Sequence, residues 1–291
     1  MANLKEIKNR ITSISSTMQI TQAMKMVSAA KLKRAQDAIT QLRPYAEKMQ
    51  DILSNVSSTL DLSENRYAEE RDVENVLVIG VSSNRGLCGG FNNNIKKRIT
   101  TLINEEYKGK NVEILSIGKK VNDAFKNGGH LMSRPDELSA PEAIFNDLTF
   151  EHVSEYATFA MERFLEAKYD KVVIVYNEFK NAASQIIRAE QMLPIKPAAD
   201  EGDTTSDYIF EPSKLEIVRD IIPKTLKLQL FKAILDSYAS EHGARMTAMH
   251  KATDNASELK KDLTLEYNKA RQASITNEIL EIVGGAEALN G

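Results

Sequence analysis

The sequence predicts an α/β fold class. A Rossmann-like open α/β domain is inserted between N- and C-terminal helices that wind together as a long antiparallel coiled coil. Three observations carry this expectation. Residues 3–57 and 213–287 hold only two internal prolines, Pro44 and Pro223, and few glycines. Both segments repeat apolar residues at heptad spacing. The stretch between them alternates short apolar runs with helical patterns, the order of a sheet covered by helices. The expected boundaries are residues 1–60 for the first coiled-coil helix, 74–195 for the α/β domain, and 211–291 for the returning helix. A helix of some 50–60 residues would run on the order of 80–90 Å. That length suits a rod with a mechanical role better than a core element of a small enzyme.

Taken in order, Leu4, Ile7, Ile11, Ile14 and Met18 step by 3, 4, 3 and 4, a heptad seam. The spacing predicts a register shift next, with Met24 and Val27 continuing the apolar line. Past Lys31 the seam becomes Leu32, Ala35, Ala38, Ile39 and Leu42. Pro44 is a candidate kink. In the middle, Val76–Val81 is a continuous apolar run of the kind buried parallel strands carry. Phe91–Tyr107 predicts a helix, Val112–Ile117 a strand, Val121–Phe125 a short helix and Phe150–Ala167 a longer one. Val172–Tyr176 predicts a third strand, and Gln185–Met192 alternates like an antiparallel neighbour. Residues 196–212 are polar, with glycine and proline, and predict a loop. In the last segment Met249, Ala252, Ala256, Leu259 and Leu263 repeat the heptad steps. Pro223 fits the first turn of that helix, and Gly284 with Gly285 are its expected stop.

Composition narrows the function classes. Hydrophobic residues make up 42% and charged residues 27%, so the chain is of globular or coiled type. A formal net charge of −3 gives no pull toward nucleic acid. Cys88 is the only cysteine, which excludes a disulfide framework and a cysteine-rich metal site. The beginning, MANLKEIKNR, lacks the apolar core of a secretory signal. No apolar run approaches the ~18 residues of a membrane span. Charge is uneven along the chain. Residues 1–43 hold eight Lys/Arg against two Asp/Glu, and residues 61–75 hold two against six. Residues 200–211 hold five acids and no base. One helix is basic and both borders of the α/β domain are acidic.

The candidate catalytic element is SSNRGLCGGFN, residues 82–92, between the first strand and a helix. A glycine-rich turn there can cradle a phosphate. It matches neither G-x-G-x-x-G nor G-x-x-x-x-G-K-[ST], so a structural or contact loop is the stronger reading. Cys88 beside Arg85 would need a histidine base, and the nearest in sequence is His130. The four histidines have no ligand spacing. No cofactor site, metal site or catalytic set is expected from spacing.

The stretches ITQAMKMVSAAKLKRAQ, SSNRGLCGGFN, ARMTAMHKATDNA and YNKARQASITNEILEIVGGAEA resemble the γ subunits of rotary F-type ATP synthases, the central stalk. The last carries that family's signature, Ile275-Thr276-x-Glu278-x-x-Glu281 followed by Gly284 or Gly285 and Ala286. The resemblance covers nearly the whole chain. It implies a bacterial-type rotor shaft in the bore of a hexamer of three catalytic and three non-catalytic subunits. The shaft's foot would stand on the membrane rotor ring beside the small ε subunit, and the shaft itself would catalyse nothing and bind no cofactor. By the same resemblance, Arg271 and Gln272, with Met24 and Lys25 nearby, face loops of the catalytic subunits. The turn with Arg85 and Cys88 approaches their acidic lever. Tyr208 and Glu211 meet the rotor ring and the ε subunit. The implied location is the cytoplasmic face of the bacterial plasma (inner) membrane, peripheral and held through the complex, with a proton or sodium gradient as drive. The chain lacks the extra cysteine pair of chloroplast γ subunits, so no thiol switch is expected. Two other readings stay open on the residues alone. One is a nucleotide-dependent enzyme on the α/β domain, and the other is a coiled-coil scaffold that does not turn.

Overall fold

Alternate residues of Asn75–Val81 point to opposite faces of a sheet, and both faces are covered, which is why this strand is apolar throughout. The computed structural model describes residues 4–57, 66–195 and 214–290. They form five α-helices and four strands: α1 Leu4–Ser57, β1 Asn75–Val81, α2 Phe91–Thr101, β2 Asn111–Ile117, α3 Lys119–Phe125, α4 Phe150–Leu165, β3 Lys171–Phe179, β4 Gln185–Leu193 and α5 Lys214–Asn290. Residues 196–212, expected as a loop, lie outside the described residues. The chain makes two units, one of residues 1–28 with 246–291 and one of residues 29–245.

In the larger unit the sheet order is β2-β1-β3-β4. β1 pairs in parallel with β2 and β3, and β4 closes the edge antiparallel to β3. Leu77, Ile79 and Val81 face a core that includes Tyr156 and Phe164 of α4 and Leu226 and Leu230 of α5. Val76 and Val78 face Ile95 and Ile99 of α2 and Phe125 of α3. Helices therefore cover both faces, as expected. The helix predicted from Phe91 to Tyr107 is α-helical to Thr101 and continues as a π-helical turn, Leu102–Glu106.

In the smaller unit hydrogen bonds join the chain's two ends. Thr21 Oγ1 and Thr253 Oγ1 share one at 2.8 Å. Lys25 Nζ donates to His250 Nδ1 at 3.2 Å, and Lys260 Nζ donates to Ser15 Oγ at 3.2 Å. The paired residue numbers sum to 274 or 275 each time, which is the signature of antiparallel helices in one register. The coiled coil is thus present.

Four details differ from expectation. There is no register shift after Met18. Thr21, Lys25 and Ser28 hold the next heptad positions, with Thr21 and Ser28 buried, while Val27 is 58% exposed. On α5 the inner positions go to Thr253 and Lys260, because each bonds across to α1, and Leu259 is 53% exposed. Pro223 lies well inside α5 rather than in its first turn. It removes one backbone donor, and buried Ile222 and Leu226 beside it hold the helix against the core. Gly284 and Gly285 do not stop α5, which runs to Asn290. Neither adopts a positive φ, and a glycine in a helix costs only ~1 kcal/mol against alanine.

Candidate partner-contact surfaces

The turn after β1 is built around a thiol that faces inward. Ser83 N–H donates to Asn92 Oδ1 at 3.0 Å, and Ser83 Oγ donates to Arg85 O at 2.6 Å. Asn92 Nδ2 donates to Cys88 Sγ at 3.1 Å. Cys88 is 1% exposed. Leu87 takes a φ of +62°, a left-handed conformation unusual for a side-chain residue, and is 65% exposed. What the turn offers outward is Arg85 and Leu87, with the Cys88 thiol behind them. Burial pushes that thiol's pKa up, and the charge that opposes the rise belongs to Arg245, not to Arg85. A buried, protonated thiol is a poor nucleophile.

Arg245 of α5 is the element the sequence reading missed. Its Nη2 donates to Arg85 O at 3.0 Å and to Gly86 O at 3.3 Å, and its Nε donates to Gly86 O at 3.3 Å. Its Nη1 makes a 2.6 Å ion pair with Glu241 and donates to His242 Nδ1 at 3.4 Å. Burial, with Arg245 and Lys31 adding to it, drives the His242 pKa down to about 3, so the ring is neutral and able to accept. Burial raises the Glu241 carboxyl while Arg245 opposes the rise. The turn therefore directs two carbonyl oxygens at a buried cation. That polarity is the reverse of a phosphate cradle, which directs N–H groups at an anion. The visible signal was SEHGAR at 240–245, a polar run following the mainly apolar stretch 230–239.

Met24 and Lys25 lie on the paired helices. Lys25 meets His250, whose Nδ1 is 3.5 Å from Asp254 Oδ2. Arg271 and Gln272 are exposed on α5. The pairing sets Lys25 opposite His250, 21 residues before Arg271, or about 30 Å along the helix. The structure brings Arg85 together with Cys88, and Met24 with Lys25, but it separates Met24 and Lys25 from Arg271 and Gln272. Tyr208 and Glu211 lie outside the described residues. Beyond Ser274, residues 275–288 of α5 are exposed, with Ile275, Ile279, Leu280, Ile282 and Val283 among them. Among the described residues no group of three or more His, Cys, Asp or Glu is arranged to hold a metal, and no helix is long and apolar enough to cross a membrane. A cavity of about 320 Å³ lies beside α4. Glu137, Glu151, Glu155 and Glu162 line it, a set that repels phosphate.

The family-wide sequence pattern described as ATP synthase matches residues 3–289. The ATP synthase gamma chain of Christiangramia forsetii is 61% identical, and that of Flavobacterium johnsoniae 59% identical, each over the whole of both chains. Among solved structures, a chain of the Euglena gracilis mitochondrial ATP synthase OSCP/F1/c-ring assembly superposes with a TM-score of 0.67 at 22% identity. The match covers 98% of this chain and 94% of that one. A chain of the Tetrahymena thermophila mitochondrial ATP synthase central stalk/c-ring gives 0.58 at 23% identity, covering 80% of this chain and 99% of that one. These two likenesses concern the fold.

Proposed function

The chain belongs to the ATP synthase gamma chain family, and on that premise we propose how it works. It is a non-catalytic subunit of a membrane-bound ATP synthase, the central stalk of the rotor. In this reading residues 1–60 and 211–291 form the shaft and residues 74–195 the body inserted into it. Its partners are the catalytic and non-catalytic subunits of the F1 hexamer, the ε subunit and the membrane rotor ring. The chain works at the cytoplasmic face of the bacterial plasma membrane, held there through the complex, and a proton or sodium gradient drives it.

The observation that carries the reading is the antiparallel closure of the two ends, with α5 running on past the described start of α1. Residues 4–28 pair with the stretch from Met246 to about Arg271, and the exposed apolar residues of 275–288 continue past the described start of α1. One such shaft among three equivalent sites touches each differently. Only differential contact shifts a site between its open and closed forms. About 1.4 kcal/mol changes a site's population ratio tenfold, and moving it from 1:99 to 99:1 takes about 5.5 kcal/mol. Rotation passes these biases round the ring. Arg271, Gln272, Met24 and Lys25 supply contacts to the catalytic subunits, and so does the turn with Arg85 and Cys88. Tyr208 and Glu211 serve the ring and ε contacts. Exposed ion pairs are worth about 0–1 kcal/mol each, which suits a surface that must slide.

The test is charge reversal on the shaft. Arg271→Glu leaves the exposed helix intact and lowers gradient-driven ATP synthesis by the assembled complex several-fold. Unchanged synthesis counts against these contacts. The purified chain hydrolyses no ATP; measurable turnover by it alone counts against a non-catalytic shaft.

A further inference from the structure

The buried guanidinium of Arg245 has a role that neither the seam nor the exposed surfaces account for. Its position is unusual. The order β2-β1-β3-β4 reverses direction at β1, since β2 lies on one side of it and β3 on the other. At such a switch point, the crevice at the carboxyl ends of the strands is where an open α/β sheet takes its ligands. Here α5 enters that region. Gly243 of α5 has no room for a Cβ without coming 3.1 Å from Ala182 Cα, just past the end of β3. Asn177, near the end of β3, donates to Phe91 O at the start of α2. Arg245, two residues beyond Gly243, supplies donors to the turn that follows β1.

All three guanidinium nitrogens are used. Two serve the carbonyls of Arg85 and Gly86, and the third serves Glu241 and His242. A planar fork of fixed donors spans two neighbouring carbonyls in a way that a lysine ammonium cannot reproduce. The turn has other ties as well: Ser83 Oγ donates to Arg85 O at 2.6 Å, and Asn84 Nδ2 donates to Glu142 O at 2.8 Å. Leu87 and Gly89 sit at positive φ, and Gly86 and Gly89 meet nothing within 4 Å of a built Cβ. The inner side is held by the Ser83, Asn92 and Cys88 bonds; on the outer limb Ser83 Oγ and Arg245 share Arg85 O, and Arg245 holds Gly86 O.

We propose that Arg245 is a positioning residue that keys the β1–α2 turn to α5, so that Arg85 and Leu87 are carried by the long helix as one piece with it. The ligand crevice of the α/β domain is thereby filled by the chain's own side chain. A load on the turn passes directly into α5, without crossing the sheet. The consequence for coupling rests on the function proposed above; the anchor itself does not.

Cys88 is the chain's only cysteine and lies under this turn, so it reports the anchor directly. The experiment is maleimide labelling of the full-length chain, followed by mass at pH 8, beside its melting curve. Arg245→Gln should raise the labelling rate of Cys88 about tenfold or more, by freeing the turn to open locally. Arg245→Lys should fall between it and the unmodified chain. Phe164→Leu, a core change on α4, should lower the melting temperature while leaving labelling within about twofold. A rate for Arg245→Gln within about twofold of the unmodified chain overturns the proposal, as does an equal rise in Phe164→Leu. If Arg245→Gln does not fold, Arg245→Lys decides, and labelling unchanged by it overturns the anchor. In the assembled complex, Arg245→Gln should also reduce ATP synthesis relative to hydrolysis. Faster labelling with coupling intact keeps the anchor and refutes the turn as a partner contact.

Discussion

Thr21 and Thr253 are 232 positions apart in sequence and share a 2.8 Å hydrogen bond between their hydroxyls. Each hydroxyl also lies within hydrogen-bond reach of a carbonyl of its own helix, Thr21 of Met18 O and Thr253 of Met249 O. Since each hydroxyl carries one proton, the cross-helix bond competes with these local bonds, and its net worth is modest. Its value is positional, because a polar pair at a seam position penalises every other register.

Thr21→Val should therefore destabilise the paired ends by ~0.5–1.5 kcal/mol. Thr253→Val should do the same, and the double variant should lose less than the sum of the two. Thermal melting followed by circular dichroism measures all three. Full additivity would mean that the two hydroxyls do not interact.

Asp236 supplies a pH prediction. It is buried on α5, with Lys232 on its own helix, Arg43 of α1, Glu178 of β3 and Glu190 of β4 acting on it. Burial is the main cause that lifts its carboxyl from an ordinary 3.8 to about 6; Lys232 and Arg43 oppose the rise, and the two glutamates add to it. A raised carboxyl pKa means that the folded chain holds the proton more tightly than the unfolded one. This group's contribution is full below about pH 4 and is lost as pH rises through about 6. Asp236→Asn should be more stable than the parent at pH 8 by ~1–3 kcal/mol, with the gain gone by pH 4. Paired melting curves at the two pH values check it; a gain equal at both would assign the effect to packing.

Gly118 joins β2 to α3 with a φ of +91°. A Cβ there would stand 2.1 Å from Ser82 O. Ser82 is fixed in place, since its N–H donates to Ile117 O and its Oγ accepts from Val121 N–H. Gly118→Ala should cost ~3 kcal/mol or more, through strain and collision together. A melting temperature unchanged from the parent would show that the β2–α3 junction yields.

The sheet was legible because burial on both faces leaves a mark on every residue of a strand such as Val76–Val81. The coiled coil was legible from its apolar positions, and its polar positions were not. Thr21, Lys25 and Ser28 look like a break in the seam until Thr253 and His250 are known to lie opposite. In the same way Leu259 looks internal until Lys260 reaches Ser15. Pro223 and the Gly284–Gly285 pair carry boundary signals that the helix overrides, by core contacts in the first case and by ordinary helical φ in the second. Arg245 was hidden for a different reason. Its acceptors in the turn are backbone carbonyls 159 and 160 residues away, and a backbone acceptor leaves no trace in side-chain identity.

The measurement that bears most directly on the central claim is rotation. The full complex is held to a surface through its hexamer, and a bead is attached to this chain through a cysteine introduced on the exposed face of the α/β domain, with Cys88 left buried. On addition of ATP the bead should turn in one direction in three steps per revolution. A bead that stays still while the same complexes hydrolyse ATP would contradict the account.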